Sequence, residues 1–562
     1  MMMKKLKLYS LTLLLAVSLS QPVAFAQRRD VKVKVTTTAA LLAARGGDTI
    51  SAAQLRSYLS FIASDEMEGR DTPSRGLDTV AKFIALNLGR WGFKPYGDDG
   101  TFFQKIALRR EAVDPSKSIA EINGQKFSIG EDFLPNAVGA TLTGPLVFSG
   151  NGWVIKTKNL DPYQGVDVKD KIIVVVGSGQ GFPRGVTRAD LAGKMGEDWS
   201  SPSVYAQQHG AKGVLVIADT QALQNWEPLR QRSAQPARAF VEKFTTQTPA
   251  TGMPSILMSS KMATALFAGE KFDAATLVSR AESGDQVPAF DLSAGKTVAI
   301  TVVVKSERPT TQNVVAVWEG SDPVLKNEYV AVGAHYDHVG ICAPGTADAI
   351  CNGADDDGSG TTALLGMAEA LSRARQRPKR SVLFVWHCGE EKGLWGSRYF
   401  TEYPTVPLDK IVTQLNIDMI GRSKKAGDTN ARNKDLSGPD SIYVIGSTMM
   451  STELGALSQQ VNKSFLNLTY DVKYDDPADP NRFFFRSDHF NYARKGIPII
   501  FFFDGVHEDY HRPGDEPQKI DYEKMEKVVR TIYMTLWEVA SLKERPKVDK
   551  PLPAQLTQGR GE

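Results

Sequence analysis

Cysteine is scarce in this chain: 562 residues carry three, Cys342, Cys351 and Cys388. That excludes a small scaffold built on disulfides. Excess charge is also lacking. The formal net charge is +3, and Lys4, Lys5 and Lys7 alone supply that excess. Without long basic runs the chain has no electrostatic footprint for nucleic acid. No stretch beyond the N-terminal region is apolar for the length of a membrane span, so no stable membrane insertion is expected. Gly-x-Ser-x-Gly does not occur, which removes the nucleophile elbow of a serine hydrolase. Ser487, Asp488 and His489 are consecutive and cannot converge as a triad. Gly177-x-Gly179-x-Gly181 lacks the Lys-Ser/Thr of a phosphate loop and reads as a flexible turn.

What remains is a globular composition, 42% hydrophobic and 23% charged, on a chain long enough for two or three domains. Residues 1–26 read as a cleaved signal peptide. Basic residues precede an apolar run from Leu11 to Leu19, and Ala24-Phe25-Ala26 offers a small-x-small cleavage site before Gln27. The run is too short to cross ~30 Å of hydrocarbon comfortably, and no Cys follows it for a lipid anchor. Export to the periplasm or the exterior is therefore expected. Cys342 and Cys351 flank one loop and can pair in an oxidising compartment, or stand as free thiols. Cys388 ends an apolar run and reads as a small buried hydrophobe.

Residues 27–48 form a polar lead-in. Leu55, Tyr58, Leu59 and Ile62 share one face of a first helix, and Leu77, Val80, Phe83, Ile84 and Leu88 share one face of a second. Between them Glu68-Gly69-Arg70-Asp71 reads as a polar loop. From 144 to 289 short β-branched runs predict an inserted β-rich domain, with Gln221–Gln247 as a long surface excursion. From Thr297 onward strands and helices alternate. Strands are predicted at Asn313–Trp318, Tyr329–Ala334, Val382–His387, Ile411–Met419, Ser441–Ile445 and Pro498–Phe503. Helices are predicted at Ser359–Arg375, with Ser359 as N-cap, and at Tyr522–Leu542. The fold class is thus α/β, a mostly parallel central sheet flanked by helices. The main domain is split into 49–143 and 290–545, and 546–562 is a flexible tail.

Five clusters lie at or beyond predicted strand ends, where open α/β sheets build their sites. His335, in Gly333-Ala-His-Tyr-Asp-His338, is placed as an imidazole ligand, and Asp337 can hold its other ring nitrogen. Asp355-Asp356-Asp357 puts three carboxylates before a helix start. A bound cation and a solvated acidic turn capping the helix read equally well there. Glu390 and Glu391 leave a strand pointing different ways, so that one can bind metal while the other reaches water. Asp418 sits in an apolar strand, which is costly without a cationic partner. The fifth cluster, His507-Glu508-x-x-His511, matches a helical zinc motif. Gly505 before it and Pro513-Gly514 after it deny the helix that would align both histidines. His511 is kept as a loop ligand, and His507 and Glu508 are not taken as ligand and base.

These clusters in this order, with Ser487-Asp-His489 and Gly496-Ile-Pro498 ahead of the last strand, resemble the co-catalytic zinc aminopeptidases. Bacterial leucyl aminopeptidase is the type member, and glutamate carboxypeptidase is a relative. Gly165-Val-Asp-Val-Lys-Asp-Lys-Ile172 and His209-Gly-Ala-Lys-Gly-Val-Leu-Val-Ile217 resemble a protease-associated (PA) domain. The resemblance implies two zinc ions per chain. One would be held by Asp356, Glu391 and His511, the other by His335, Asp356 and Asp418. It makes Asp356 the bridging carboxylate, by its distance to Ser359-Gly360, with a cis bond between Asp356 and Asp357. It makes Glu390 the general base and the substrate a peptide. Gly358 stands where the family commonly has Ala, and Cys388 precedes Gly389; neither is a proposed ligand. Aminopeptidase is the expectation. A dipeptidase or carboxypeptidase of the same fold, or a single-zinc glutaminyl cyclase, is the alternative.

Overall fold

A computed structural model describes residues 39–552 except 178–181, 238, 245–251, 286 and 477. The proposed signal peptide, the glycine turn after Gly177 and most of the tail lie outside the described residues.

The helix starts follow from their caps. Ser51 accepts from the Gln54 N–H ahead of Ala52–Ile62, and Ser74 accepts from the Leu77 N–H ahead of Arg75–Arg90. These helices press Leu55, Leu59, Ile62, Val80 and Ile84 into one core with Leu364, Leu365 and Ala368 of Gly360–Arg373. Met525, Val528 and Ile532 of Tyr522–Ser541 complete that layer. The opposite face is covered by Trp395–Glu402 and His489–Ala493, which bury Phe400, Tyr492 and Ala493.

Between these layers runs an eleven-stranded sheet. Its centre is parallel, in the order Ser381–His387, Tyr329–His335, Ile411–Ile417, Ile499–Phe503. Its flanks are antiparallel: Thr310–Trp318 and Phe103–Val113 on one side, Ser441–Ile445 on the other. The α/β reading holds, with a sheet that is parallel where the chain crosses over helices and antiparallel outside. The chain leaves Tyr329–His335 for the neighbour on one side and later returns to fill the other. The strand order therefore reverses at that strand, and a crevice opens beyond its carboxyl end.

The second lobe has two sheets. One carries four parallel strands, Leu146–Phe148, Ile172–Gly177, Gly213–Ala218 and Ser255–Met258, with short antiparallel edges. The other pairs Gln125–Phe127, Ile119–Ile122, Val298–Val302 and Ala140–Thr143. Hydrogen-bonded strands thus extend this lobe from 119 to 302, beyond the 144–289 read from composition. Its outer strands are short and polar on one face, so they carry no apolar run. The chain enters and leaves the lobe through neighbours: Val113 pairs with Val304.

The expected surface excursion at Gln221–Gln247 is instead partly regular. It contains helices Thr220–Gln224 and Trp226–Ser233 and the strand Phe240–Val241. The second helix buries no residue, which is why its sequence shows no apolar stripe. Phe240 and Val241 pair with Arg109 and Leu108, covering the edge of the main sheet with an arm of the second lobe.

Candidate metal centre

Each donor is delivered by an element end. His335 is the last residue of its strand, Asp418 follows Ile411–Ile417, and Glu390 and Glu391 follow Ser381–His387 by three and four residues. Asp356 lies just before Gly360–Arg373, and His511 lies in the loop after Ile499–Phe503, at φ 55°.

The structure gathers these residues into two sets that share Asp356. His335 Nε2 lies 3.3 Å from Asp356 Oδ1 and 3.6 Å from Asp418 Oδ1. His511 Nε2 lies 3.2 Å from Asp356 Oδ2 and 3.0 Å from Glu391 Oε2. Donors ~2.0–2.1 Å from a tetrahedral zinc stand roughly 3.3 Å apart, so these separations match two edges of such a polyhedron. The buried Nε2 atoms of His335 and His511 and Oδ2 of Asp356 have no hydrogen-bond partner. Imidazole and carboxylate without thiolate is a donor chemistry that zinc accepts.

The electrostatics point the same way. Burial opposes protonation of His335, yet Asp418 and Glu390 outweigh it and hold its imidazole well above the usual histidine range. Burial likewise opposes protonation of His511, but Asp356 and Glu391 push it up to about 10. Burial alone would raise Asp356; His335 and His511 outweigh it and hold the carboxyl well below the usual range. The cluster draws positive charge onto whatever can carry it.

The three consecutive aspartates separate by what their oxygens do. Asp357 Oδ1 accepts from the N–H of Gly360 and Met419, and Oδ2 from the N–H of His335. It is spent on the backbone, although it also lies close to His335 and Asp418. It, and not Ser359, caps the following helix: Ser359 Oγ donates to the Asp355 carbonyl and accepts from the Ile420 N–H. Asp355 Oδ1 accepts from the Gly421 N–H, and its Oδ2 faces His507 Nε2 at 3.3 Å. Only Asp356 faces both His335 and His511. The Asp356–Asp357 bond is cis. The buried carboxylate of Asp515 accepts from the N–H of both Asp355 and Asp356 and so fixes this turn from behind.

His507 and Glu508 point away from the cluster. His507 is buried against Asp355 and accepts from the Asp509 N–H at Nδ1. Glu508 bonds to Asn430 on the exposed side. No helix spans 507–511.

Asp337 is placed differently from the sequence expectation. The His335 Nδ1 bond runs to the Asp337 carbonyl at 3.2 Å; the carboxylate is 3.7 Å away. That carboxylate instead accepts from the Glu390 N–H at 3.1 Å. With Nδ1 donating, Nε2 of His335 is left as the bare nitrogen a metal needs. Glu390 stands beside the cluster, Oε2 3.9 Å from His335 Nε2. Burial, reinforced by Glu391 and Asp418, lifts its carboxyl well above the usual range.

Two residues escaped the sequence reading. His338 is fully buried, with Nδ1 2.8 Å from Glu391 Oε1 and 3.7 Å from Asp356 Oδ2. It forms a compact donor group with those two carboxylates. Its signal was present, a second histidine three residues after the first. Arg70, read as part of a polar loop, is fully buried. It donates to the carbonyls of Ile62, Tyr336, Asn352 and Gly353, clamping the His335–His338 loop to the loop that leads into Asp356. Cys342 and Cys351 form a disulfide beside it, and Cys388 is buried.

Size of cavity does not mark this site. A cavity of about 940 Å³ lies in the second lobe among Trp153, Phe182, Asp219 and Glu282, and among the described residues no imidazole lines it.

Comparison with known proteins agrees with the geometry. Residues 313–536 match the model of Peptidase family M28. The probable leucine aminopeptidase 2 of Aspergillus oryzae is 33% identical over 231 residues, 40% of this chain and 40% of its own. The leupeptin-inactivating enzyme 1 of Streptomyces exfoliatus is 30% identical over 215 residues, 38% of this chain and 40% of its own. The chain thus spans about two fifths of the length of the curated relatives it matches. An aminopeptidase from Aneurinibacillus sp. strain AM-1 aligns over 90% of this chain and 97% of its own, at 16% identity and a TM-score of 0.47. The whole donor cluster, His335 to His511, falls inside the segment that matches the model of Peptidase family M28.

Proposed function

We propose that this chain is an exported two-zinc peptidase that removes N-terminal residues from peptides. The observation that carries the reading is the split donor set, two imidazoles on opposite sides of one carboxylate with their Nε2 atoms unpartnered. In this reading His335 and Asp418 would hold one ion and Glu391 and His511 the other, with Asp356 shared between them. Zinc bound there would polarise the scissile carbonyl and acidify water near neutrality.

The chain's own residues supply the rest. Glu390 takes a proton from water and returns it to the leaving amine. Its carboxylate is aimed by the bond from its N–H to Asp337. Asp337 also presents its carbonyl to His335 Nδ1, so one residue orients both a ligand and the base. Asp515 and Arg70 hold the loops that carry Asp356 and His335.

Relatives described as leucine aminopeptidases support the choice of the peptide's amino end. The Cys342–Cys351 disulfide supports an oxidising, exported setting. The second lobe acts as a PA-like element that limits access for long peptides.

The test is a panel of free-amino and N-blocked peptides, assayed with and without chelator. Free-amino peptides are expected to be cleaved, and chelator to abolish cleavage. Cleavage of blocked peptides as fast as free ones would remove the aminopeptidase assignment. Chelator-insensitive activity would remove the metal. Sequencing the exported protein is expected to give Gln27 as its first residue.

A further inference from the structure

A recess opens directly from the donor cluster. Asp356, Glu390 and Asp418 line its floor, and its walls include Met419, Phe483, Phe501, Phe503 and Tyr510. Among the described residues Arg486 is the only cationic side chain lining it.

Arg486 is exposed, and among the described residues it makes no ion pair. Arg422 bonds to Asp509 and Arg494 lies 3.6 Å from Glu402, whereas Arg482 lies over the ring of Phe485 and lines no part of the recess. Arg486 stands instead beside the ring of Phe483, 5.0 Å from its centroid. Its backbone is anchored. Its N–H donates to the Phe483 carbonyl, and the next residue, buried Ser487, accepts from the Asn416 side chain.

A surface arginine lying over an aromatic ring is ordinary. One that lines the recess beside the reacting atoms, with no internal carboxylate, is different. Two divalent ions bound there would offset the carboxylates of Asp356, Glu391, Asp418 and Glu390. Arg486 is the cation that the chain itself places on the recess. It offers a planar fork to a carboxylate.

We propose that Arg486 binds a carboxylate of the substrate, so that the site selects peptides carrying a negative charge next to the scissile bond. This rests on the metallopeptidase reading of the same site. The carboxylate has two possible sources: the side chain of an N-terminal Glu or Asp, or the C-terminus of a dipeptide.

The experiment compares kcat/KM of the full-length, zinc-loaded protein on two matched pairs. One pair is Glu-Ala-Ala-amide and Gln-Ala-Ala-amide; the other is Ala-Ala and Ala-Ala-amide. The wild-type protein is expected to favour the charged member of one pair by about tenfold or more. Arg486→Met should bring that ratio close to one, and Arg486→Lys should keep part of it. The preference should also shrink with added salt, because Arg486 is exposed. Loss of preference in the first pair assigns the side chain, and loss in the second assigns the C-terminus; either supports the proposal. A preference that survives Arg486→Met, an equal fall on both members, or no preference in the wild type overturns it. If the wild-type protein cleaves none of the four peptides, the peptidase reading fails and takes this proposal with it.

Discussion

The two lobes are built from similar parts, yet among the described residues only one gathers candidate metal donors. Each has four parallel strands in a row. In the second lobe the strands are laid down in chain order, every crossover moving one place the same way. In the main lobe the order reverses at Tyr329–His335, and the donors collect beyond that reversal. Six of the seven histidines, His335, His338, His387, His489, His507 and His511, belong to the main lobe. The seventh, His209, is exposed and stacks on Tyr205. The second lobe has the larger cavity and the main lobe has the converging donors. Chemistry follows convergence, not volume.

The largest expected effect comes from the shared donor. Asp356→Ala should bring bound zinc, measured by elemental analysis, from two per chain toward none, and activity to background. Retention of both ions would break the claim that one carboxylate serves two sites. Glu390→Gln comes next. It should lower kcat by about 10²–10⁴-fold while zinc content stays as in the wild type. Near-normal turnover would remove Glu390 as the base.

A smaller effect is expected behind the site. Asp515→Ala takes away the acceptor for two buried N–H groups, and zinc affinity should fall by roughly 10–100-fold. Competition with a calibrated chelator measures this, and unchanged affinity would show that the Asp356 turn holds itself. Smallest for the chemistry is a change in the other lobe. Leu215→Ala, at a fully buried position, should destabilise that lobe by about 2–5 kcal/mol in denaturant titration. Zinc content should not move. If it does, the lobes are not independent.

Much of the main lobe was legible because its signals are local. The strand runs were apolar, and the donors followed them at once. Gly505 and Pro513-Gly514 showed that His507 and His511 could not share a helix, and in the structure they face different partners. Other features depend on distant atoms. Nothing in Asp355-Asp356-Asp357 tells which oxygens the Gly360, Met419 and Gly421 N–H groups will claim. Ser359 looked like a cap, but the Asp355 carbonyl and the Ile420 N–H took its hydroxyl. Arg70 looked like a solvated loop residue, and four carbonyls from separate segments buried it. The edges of the second lobe were hidden because Ile119–Ile122 and Val298–Val302 find each other across nearly the whole insertion.

The arm at Phe240–Val241 gives the two lobes an uneven mechanical coupling. Paired strands fasten the second lobe to Phe103–Val113, at Leu108 and Arg109 by the arm and at Val113 by the chain itself, and beside the arm Phe244 packs on Tyr399 of Trp395–Glu402. That strand is bonded through residues 103–107 to Thr310–Trp318, which is bonded to Ser381–His387, the strand that leads to Glu390. Pulling the lobe outward unzips the two-residue arm one pair at a time. The long strands are loaded in shear, with many bonds sharing the force. The arm's two pairs release first, and the strand path toward Glu390 stays bonded.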